Sequence, residues 1–378
     1  MFTTKKLVAA VAVMSALGVS PSANAQDLRV YIGTYTRGDS DGIYMLTMNH
    51  ETGALSEPVL AATTENPSFL AKHPTKPVVY AVGEMVETPG SVGGTISAYS
   101  IDAATGALTL INRQSTVGNG PCHVAVAPSG KHAAVANYGG GSVALLPILE
   151  DGSLAESSAF IQHEGKSVNE SRQEKPHAHS VEFDNNGAYL FSADLGIDKV
   201  MTYRYDGTGT LIANSTHGIL EPGSGPRHAK FHPTGRFFYV VNELLSTVTA
   251  FAYDEKTGSL DAIQTISTLP EGYTEPTTTA EIRVHPSGKF LYASNRGHDS
   301  IASFSIDQET GKLAATGHTP TGGSTPRNFN LDPSGKFLLA ANQNSDSIFV
   351  FRINAETGVP QATGNSAKVA TPVCVLFP

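Results

Sequence analysis

Cysteine is nearly absent from the chain: Cys122 and Cys374 are the only two in 378 residues. Two are too few for a disulfide framework. The repeat described below puts them in its third and first units with the second between, so they read as small buried hydrophobes and not as a bonded pair. There is no Cys-x-x-Cys-His and no glycine-rich strand-to-helix turn, which excludes haem attachment and a dinucleotide fold. No His, Cys or carboxylate spacing typical of zinc occurs, so neither metal nor cofactor is expected. Charge is sparse, at 16% of residues, and its balance is acidic, 25 Lys and Arg against 34 Asp and Glu. Without a basic cluster, a nucleic-acid surface is excluded. Beyond residue 19 no apolar run approaches the roughly 20 residues that cross a bilayer.

The N-terminus carries the one targeting signal. Lys5 and Lys6 precede an apolar stretch from Leu7 to Val19, and Ala23-Asn24-Ala25 supplies small residues at a cleavage site. Residues 1–25 therefore read as a secretory signal peptide, with a single domain over 26–378 and a periplasmic or secreted location. The apolar stretch is too short to anchor the protein, so no lasting membrane insertion is expected after cleavage.

What the chain has in abundance is repetition. One phrase runs Asn49-x-x-Thr52-Gly53-x-Leu55, Asp102-x-x-Thr105-Gly106-x-Leu108, Asp254-x-x-Thr257-Gly258-x-Leu260 and Asp307-x-x-Thr310-Gly311-x-Leu313, with shorter copies around Gly152, Gly209 and Gly358. The seven glycines are 46 to 57 residues apart. A second phrase keeps the same beat, as in His232-Pro233-Thr-Gly235, His285-Pro286-Ser-Gly288 and Asp332-Pro333-Ser-Gly335. Each is turn chemistry between alternating apolar runs. Two such turns per unit predict four strands, and seven units predict an all-β, seven-bladed β-propeller. The first unit begins at its second strand (Arg29 to Thr34), and Pro372 to Pro378 resembles the first strand of the third unit, Pro121 to Pro128. The C-terminal strand is thus expected to complete blade 1 and close the ring.

With strands lettered a to d from the axis outward, both turns fall on one face. The start of strand a and the end of strand b then meet at the channel on the other. One column at the start of strand a reads Ser68, Cys122, His179, Arg227, Ala280, Arg327 and Pro372; its neighbour reads Phe69, His123, Ser180, His228, Glu281, Asn328 and Val373. At the end of strand b, Asn137, Asp194, Asn242, Asn295 and Asn342 share a column and are expected to bond their own backbone. The next column reads Glu84, Tyr138, Leu195, Glu243, Arg296 and Gln343. Positions that differ from blade to blade suit an asymmetric ligand, and His179, Arg227, Glu243 and Arg296 stand out, with His228, Glu281 and Arg327 beside them. Arginines around a carboxylate in a concave channel suit an anionic or polyhydroxylated small molecule. His or Glu could take a proton from water there while Arg holds an oxyanion. Mutually satisfied channel lining is the equal alternative for the same residues. The long connection from Gln162 to Lys175 lies on the mouth face and offers Arg172, Gln173 and Lys166 as ligand contacts.

Three stretches carry a resemblance: Arg172-Gln173-x-x-Pro176-His-Ala-His179-Ser180, Gly225-Pro-Arg227-His228-x-x-Phe231-His-Pro-x-Gly235, and the pairs Asn242-Glu243 and Asn295-Arg296. They resemble the seven-bladed propeller lactonases, which include bacterial 6-phosphogluconolactonases and a fungal carboxymuconate cycloisomerase. The resemblance implies lactone chemistry without an obligatory metal, on a His, two Arg and a Glu that match His179, Arg227, Glu243 and Arg296. It leaves the general base open. Neighbouring arginines should lower the pKa of Glu243, whereas His179 should titrate nearer neutrality and is assigned the proton transfer. Glu243 would position water or His179, with Arg227 and Arg296 on the carbonyl and any substrate anion. Export favours glucono-1,5-lactone or a similar aldonolactone over its 6-phosphate. A non-catalytic binding propeller and a muconate cycloisomerase are the alternatives.

Overall fold

The computed structural model describes residues 27–36, 38–85 and 93–378; the signal-peptide reading of residues 1–25 lies outside them. The recurring phrases form the turns their composition predicts. In the turns at Asn49, Asp102, Asp307 and Asn354 the side chain accepts from the backbone two and three residues on; Asp307 takes Glu309 N at 3.0 Å and Thr310 N at 2.8 Å. The glycine that follows has positive φ, 71° at Gly311 and 73° at Gly358, conformations costly for any residue with a Cβ. It also meets the preceding blade. Tyr239 and Tyr292, on strand b, donate to the carbonyls of Gly311 and Gly358 at 3.0 and 2.8 Å. His73, His232 and His285 do the same on the a–b turns: Nδ1 faces its own turn, and Nε2 contacts the carbonyl of Gly130, Gly288 or Gly335 in the following blade at 2.9–3.1 Å. They are structural staples on the face away from the candidate site.

The strands assemble into seven antiparallel sheets, each ordered a-b-c-d. The innermost strands are Pro372–Leu376, Leu70–Lys72, Pro121–Val126, Ala178–Phe183, Pro226–Phe231, Thr278–Val284 and Pro326–Leu331. Each packs on the next, and the last returns to the first. Leu28–Thr34 pairs with Pro372–Leu376, so the C-terminal strand completes blade 1 and closes the ring as expected. Apolar clusters fill the wedges between blades, for example Phe237, Tyr239, Leu291 and Phe304 between blades 5 and 6. Among the described residues no helix is long and apolar enough to cross a membrane.

Two register findings correct the columns. Three of the four asparagines at the end of strand b tie blades together; the fourth, Asn242, bonds Thr247 and Thr249 of its own blade. Asn137, Asn295 and Asn342 donate through Nδ2 to the carbonyls of Thr116, Thr268 and Thr321, at the end of the preceding blade's strand d (2.8–3.3 Å). The chain crossing from d to the next a passes over strand b, and the side chain fastens it there. Only Asp194 also bonds its own turn, at Gly196 N. In blade 1, Thr34 pairs with Pro372 and Gly33 with Cys374. Val373, not Pro372, therefore occupies the position of His179: the C-terminal strand, Pro372–Leu376, is one residue shorter than its counterpart Pro121–Val126.

Candidate active site

Strand a breaks register near its start in blade after blade. Pairing skips between Pro121 and His123, Ala178 and Ser180, Pro226 and Ala229, Thr279 and Ile282, and Pro326 and Asn328. The skipped residues are the candidate ones: Cys122, His179, Arg227 with His228, Ala280 with Glu281, and Arg327. A bulge leaves residues outside the ladder and re-aims their side chains. Consecutive residues then need not alternate, and adjacent Arg227 and His228 touch each other, Nη1 to Nε2, at 3.2 Å.

Glu243 lies just past strand b of blade 5, with its amide held by Gly225 O at 2.7 Å. Its carboxylate is the hub. Oε2 receives Arg227 Nε at 3.0 Å and Arg296 Nη2 at 3.1 Å, and Oε1 receives Arg172 Nη2 at 2.6 Å. His179 Nε2 stands 3.9 Å from Oε2, beyond a direct hydrogen bond. Three guanidiniums around one carboxylate leave two positive charges uncompensated by it. Arg327 adds another guanidinium in the same cavity, against the Tyr35 hydroxyl at 2.8 Å. Burial alone would raise the pKa of Glu243, but Arg296, Arg227, His179 and Arg172 outweigh it and hold the carboxyl far below its usual range. Burial lowers Arg296 to about 10, which keeps it charged at neutral pH.

Below this layer the axis is filled. The rings of Phe69 and His123 stack at 4.0 Å, and His228 meets them edge-on at 5.6 and 5.1 Å. Glu281, fully buried, contacts His228 Nδ1 at 3.1 Å and accepts from Asn328 Nδ2. Because Arg227 Nη1 can only donate, His228 accepts on Nε2 and carries its proton on Nδ1, toward Glu281. Both Glu281 and Arg283 face the axis, 3.5 Å apart. The packed rings thus border the cavity lined by His179, Arg227 and Arg327.

The structure brings His179, Arg227, Glu243, Arg296 and Arg172 together, with Arg327 across the cavity and His228 and Glu281 beneath. Gln173 is elsewhere. Its buried amide donates to Leu195 O and Asp198 Oδ1, both at 2.8 Å, and fastens the long connection. Asp198 also takes Gly223 N and Gly225 N at 2.7 Å, so one carboxylate locates both the loop bearing Arg172 and the turn before Arg227. The titration expected of His179 is corrected as well. Burial first, then Arg227 and His228, push it well below the ordinary histidine range. The sequence columns do not single out Tyr35, Ser68 or Glu84, although the cavity shared by His179, Arg227 and Arg327 is lined by all three. Tyr35 completes the Glu243 column for blade 1, where the displaced first strand hid the alignment.

The sequence as a whole matches the model of the family described as lactonase, 7-bladed β-propeller, over residues 29–377. The chain belongs to that lactonase family. It is 40% identical over 299 residues to the 6-phosphogluconolactonase of Bacillus subtilis strain 168, covering 79% of this chain and 83% of that one. A 6-phosphogluconolactonase of Formosa agariphila is 36% identical over 308 residues, covering 80% of this chain and 86% of that protein. The solved periplasmic gluconolactonase PpgL of Pseudomonas aeruginosa superposes with a TM-score of 0.88 at 34% identity, over 93% of this lactonase and all of PpgL. Family membership decides against the non-catalytic propeller.

Three imidazoles of this lactonase bear on its pH dependence. His123, His179 and His228 are all lowered well below the ordinary value, by burial first and then by nearby cations or one another. The unfolded chain, with histidines near about 6.5, binds protons that the native state refuses. Stability is therefore full above that value and falls as pH drops below it, by at most about 1.4 kcal/mol per group per pH unit. The urea midpoint is expected to fall between pH 7.5 and 5.5 and to change little from 7.5 to 8.5.

Proposed function

We propose that this lactonase hydrolyses an unphosphorylated aldonolactone such as glucono-1,5-lactone in the periplasm or outside the cell, in the pocket around Glu243. The observation that carries the reading is the Glu243 carboxylate shared among Arg172, Arg227 and Arg296, with the His179 imidazole 3.9 Å away. With its proton on Nδ1, toward Cys122 Sγ at 3.5 Å, His179 presents the Nε2 lone pair to a water oriented by Glu243. His179 takes a proton from that water as its oxygen attacks the lactone carbonyl. Arg227 and Arg296 stabilise the oxyanion, in a buried pocket where their charge acts strongly. Collapse of the tetrahedral intermediate breaks the bond to the ring oxygen, which receives the proton from His179, and the product is the open hydroxy acid. An imidazole kept deprotonated by burial retains its acceptor lone pair across neutral and mildly acidic pH, with a weaker driving force for taking the proton than a free histidine has.

The signal-peptide reading and the likeness to a protein titled a periplasmic gluconolactonase support the unphosphorylated substrate. The mature protein is expected to accelerate acid release from glucono-1,5-lactone above the spontaneous rate, with kcat/KM exceeding that for the 6-phosphate. A tenfold preference for the phosphate would overturn the choice of substrate.

A further inference from the structure

The wall of the pocket across from Glu243 is built around Asn66. This residue sits at φ 43°, a left-handed conformation that asparagine tolerates better than most residues. Its carbonyl accepts both Ser68 N at 2.7 Å and Glu84 N at 3.0 Å, joining the start of one strand to the end of the next. Its side-chain oxygen accepts Thr36 N at 3.0 Å and Thr36 Oγ1 at 3.2 Å, fixing the neighbour of Tyr35 from blade 1. One turn residue thereby sets Ser68, Glu84 and Tyr35 around a common space.

The polar groups there form a chain with one end open. Arg327 donates to the Tyr35 hydroxyl at 2.8 Å, and that hydroxyl donates to Glu84, 3.0 and 3.2 Å from its two oxygens. A carboxylate offers about four acceptor sites, so Glu84 keeps capacity for further donors. Ser68 is 5% exposed, lines the same cavity, and its Oγ has no hydrogen-bond partner among the described residues. A buried hydroxyl left unmade is costly unless a ligand satisfies it. An acceptor-rich carboxylate beside a hydroxyl that both donates and accepts matches vicinal alcohols, each of which also donates and accepts.

We propose that Ser68, Glu84 and Tyr35 form a polyol subsite that grips the hydroxyl-bearing carbons of the substrate while its carbonyl lies toward His179 and Arg227. The proposal rests on the aldonolactone reading above and names the part of the pocket that selects a sugar over a simple ring. A site built to hydrogen-bond a hydroxyl discriminates strongly against an analogue without it.

The test compares glucono-1,5-lactone with δ-valerolactone, which has the same ring and no hydroxyls, in the parent, Ser68→Ala and Glu84→Gln. The ratio of kcat/KM for the sugar lactone to that for δ-valerolactone is expected to fall about tenfold in each variant. A fall of more than threefold supports the subsite, and a ratio within threefold of the parent's overturns it, since a purely structural role would lower both substrates together. Should the parent hydrolyse neither lactone, the functional reading fails by itself. Calorimetric binding of D-gluconate then decides the subsite: weakening of more than threefold in the two variants supports it, while unchanged binding or none to the parent overturns it. Circular dichroism verifies that the variants are folded.

Discussion

Alanine at position 179 is expected to lower kcat for glucono-1,5-lactone about a thousandfold, within the range that general acid–base groups contribute. Of the two imidazoles lining this pocket among the described residues, His228 has both ring nitrogens engaged, by Arg227 and Glu281, whereas His179 turns Nε2 toward Glu243 and can accept and return a proton. The arginines remain protonated, and the Tyr35 hydroxyl is pushed up to about 12 by burial, with Glu84 and Cys122 adding to it and Arg327 opposing. Glu243 is held ionised by its arginine neighbours, which makes it a poor acceptor. KM should change much less than kcat, because the polar groups that hold the lactone in its ground state are untouched. His179→Gln, which keeps a polar side chain without a basic nitrogen, should be as inactive as His179→Ala. A loss of less than tenfold in kcat, with the fold intact by circular dichroism, would move proton transfer to another group.

The second large effect is on stability. Glu243→Gln leaves Arg227, 2% exposed, and Arg296 beside it without their shared counter-charge. Breaking a buried ion pair by removing one partner typically costs about 3–5 kcal/mol. A loss of that size in urea unfolding is expected, along with loss of turnover. Arg172 touches the same carboxylate but is 36% exposed at the rim, where a salt bridge contributes about 0–1 kcal/mol. Arg172→Met should therefore cost at most about 1 kcal/mol. The sign with pH follows from the depressed carboxyl. Unfolded, Glu243 titrates near about 4.3, so its contribution is complete above that pH and disappears only as acid reaches the lower native value. Between pH 5 and 8 the deficit of Glu243→Gln should stay constant. A variant as stable as the parent would show that the arginines, not the carboxylate, organise the pocket.

The parts of the site legible in the sequence were those that repetition exposed. Seven copies of one unit let positions be compared within a single chain, and His179, Arg227, Glu243 and Arg296 stood out because their blade-mates differ. Where alignment slipped by one residue, at Pro372 and Val373, the count back from the turn failed, since the C-terminal strand is one residue short. Tyr35 was lost for a related reason, as its blade is assembled from both chain ends. Gln173 looked like a ligand contact because it adjoins Arg172 in a motif, yet neighbours in a loop point separate ways, and its amide is consumed by Asp198.

Turn chemistry and the period of about fifty residues suffice to determine the seven blades, the four strands in each and the closure of the ring, because these depend on local backbone preference and on the alternation of apolar residues. Tertiary structure alone decided which charges meet. The bulges at the start of strand a overrule alternation and turn Arg227 and His228 into one pocket, and three arginines from separate stretches of chain converge on Glu243. The proton affinity of His179 likewise depends on burial and on cations far away in sequence, which the order of residues does not specify.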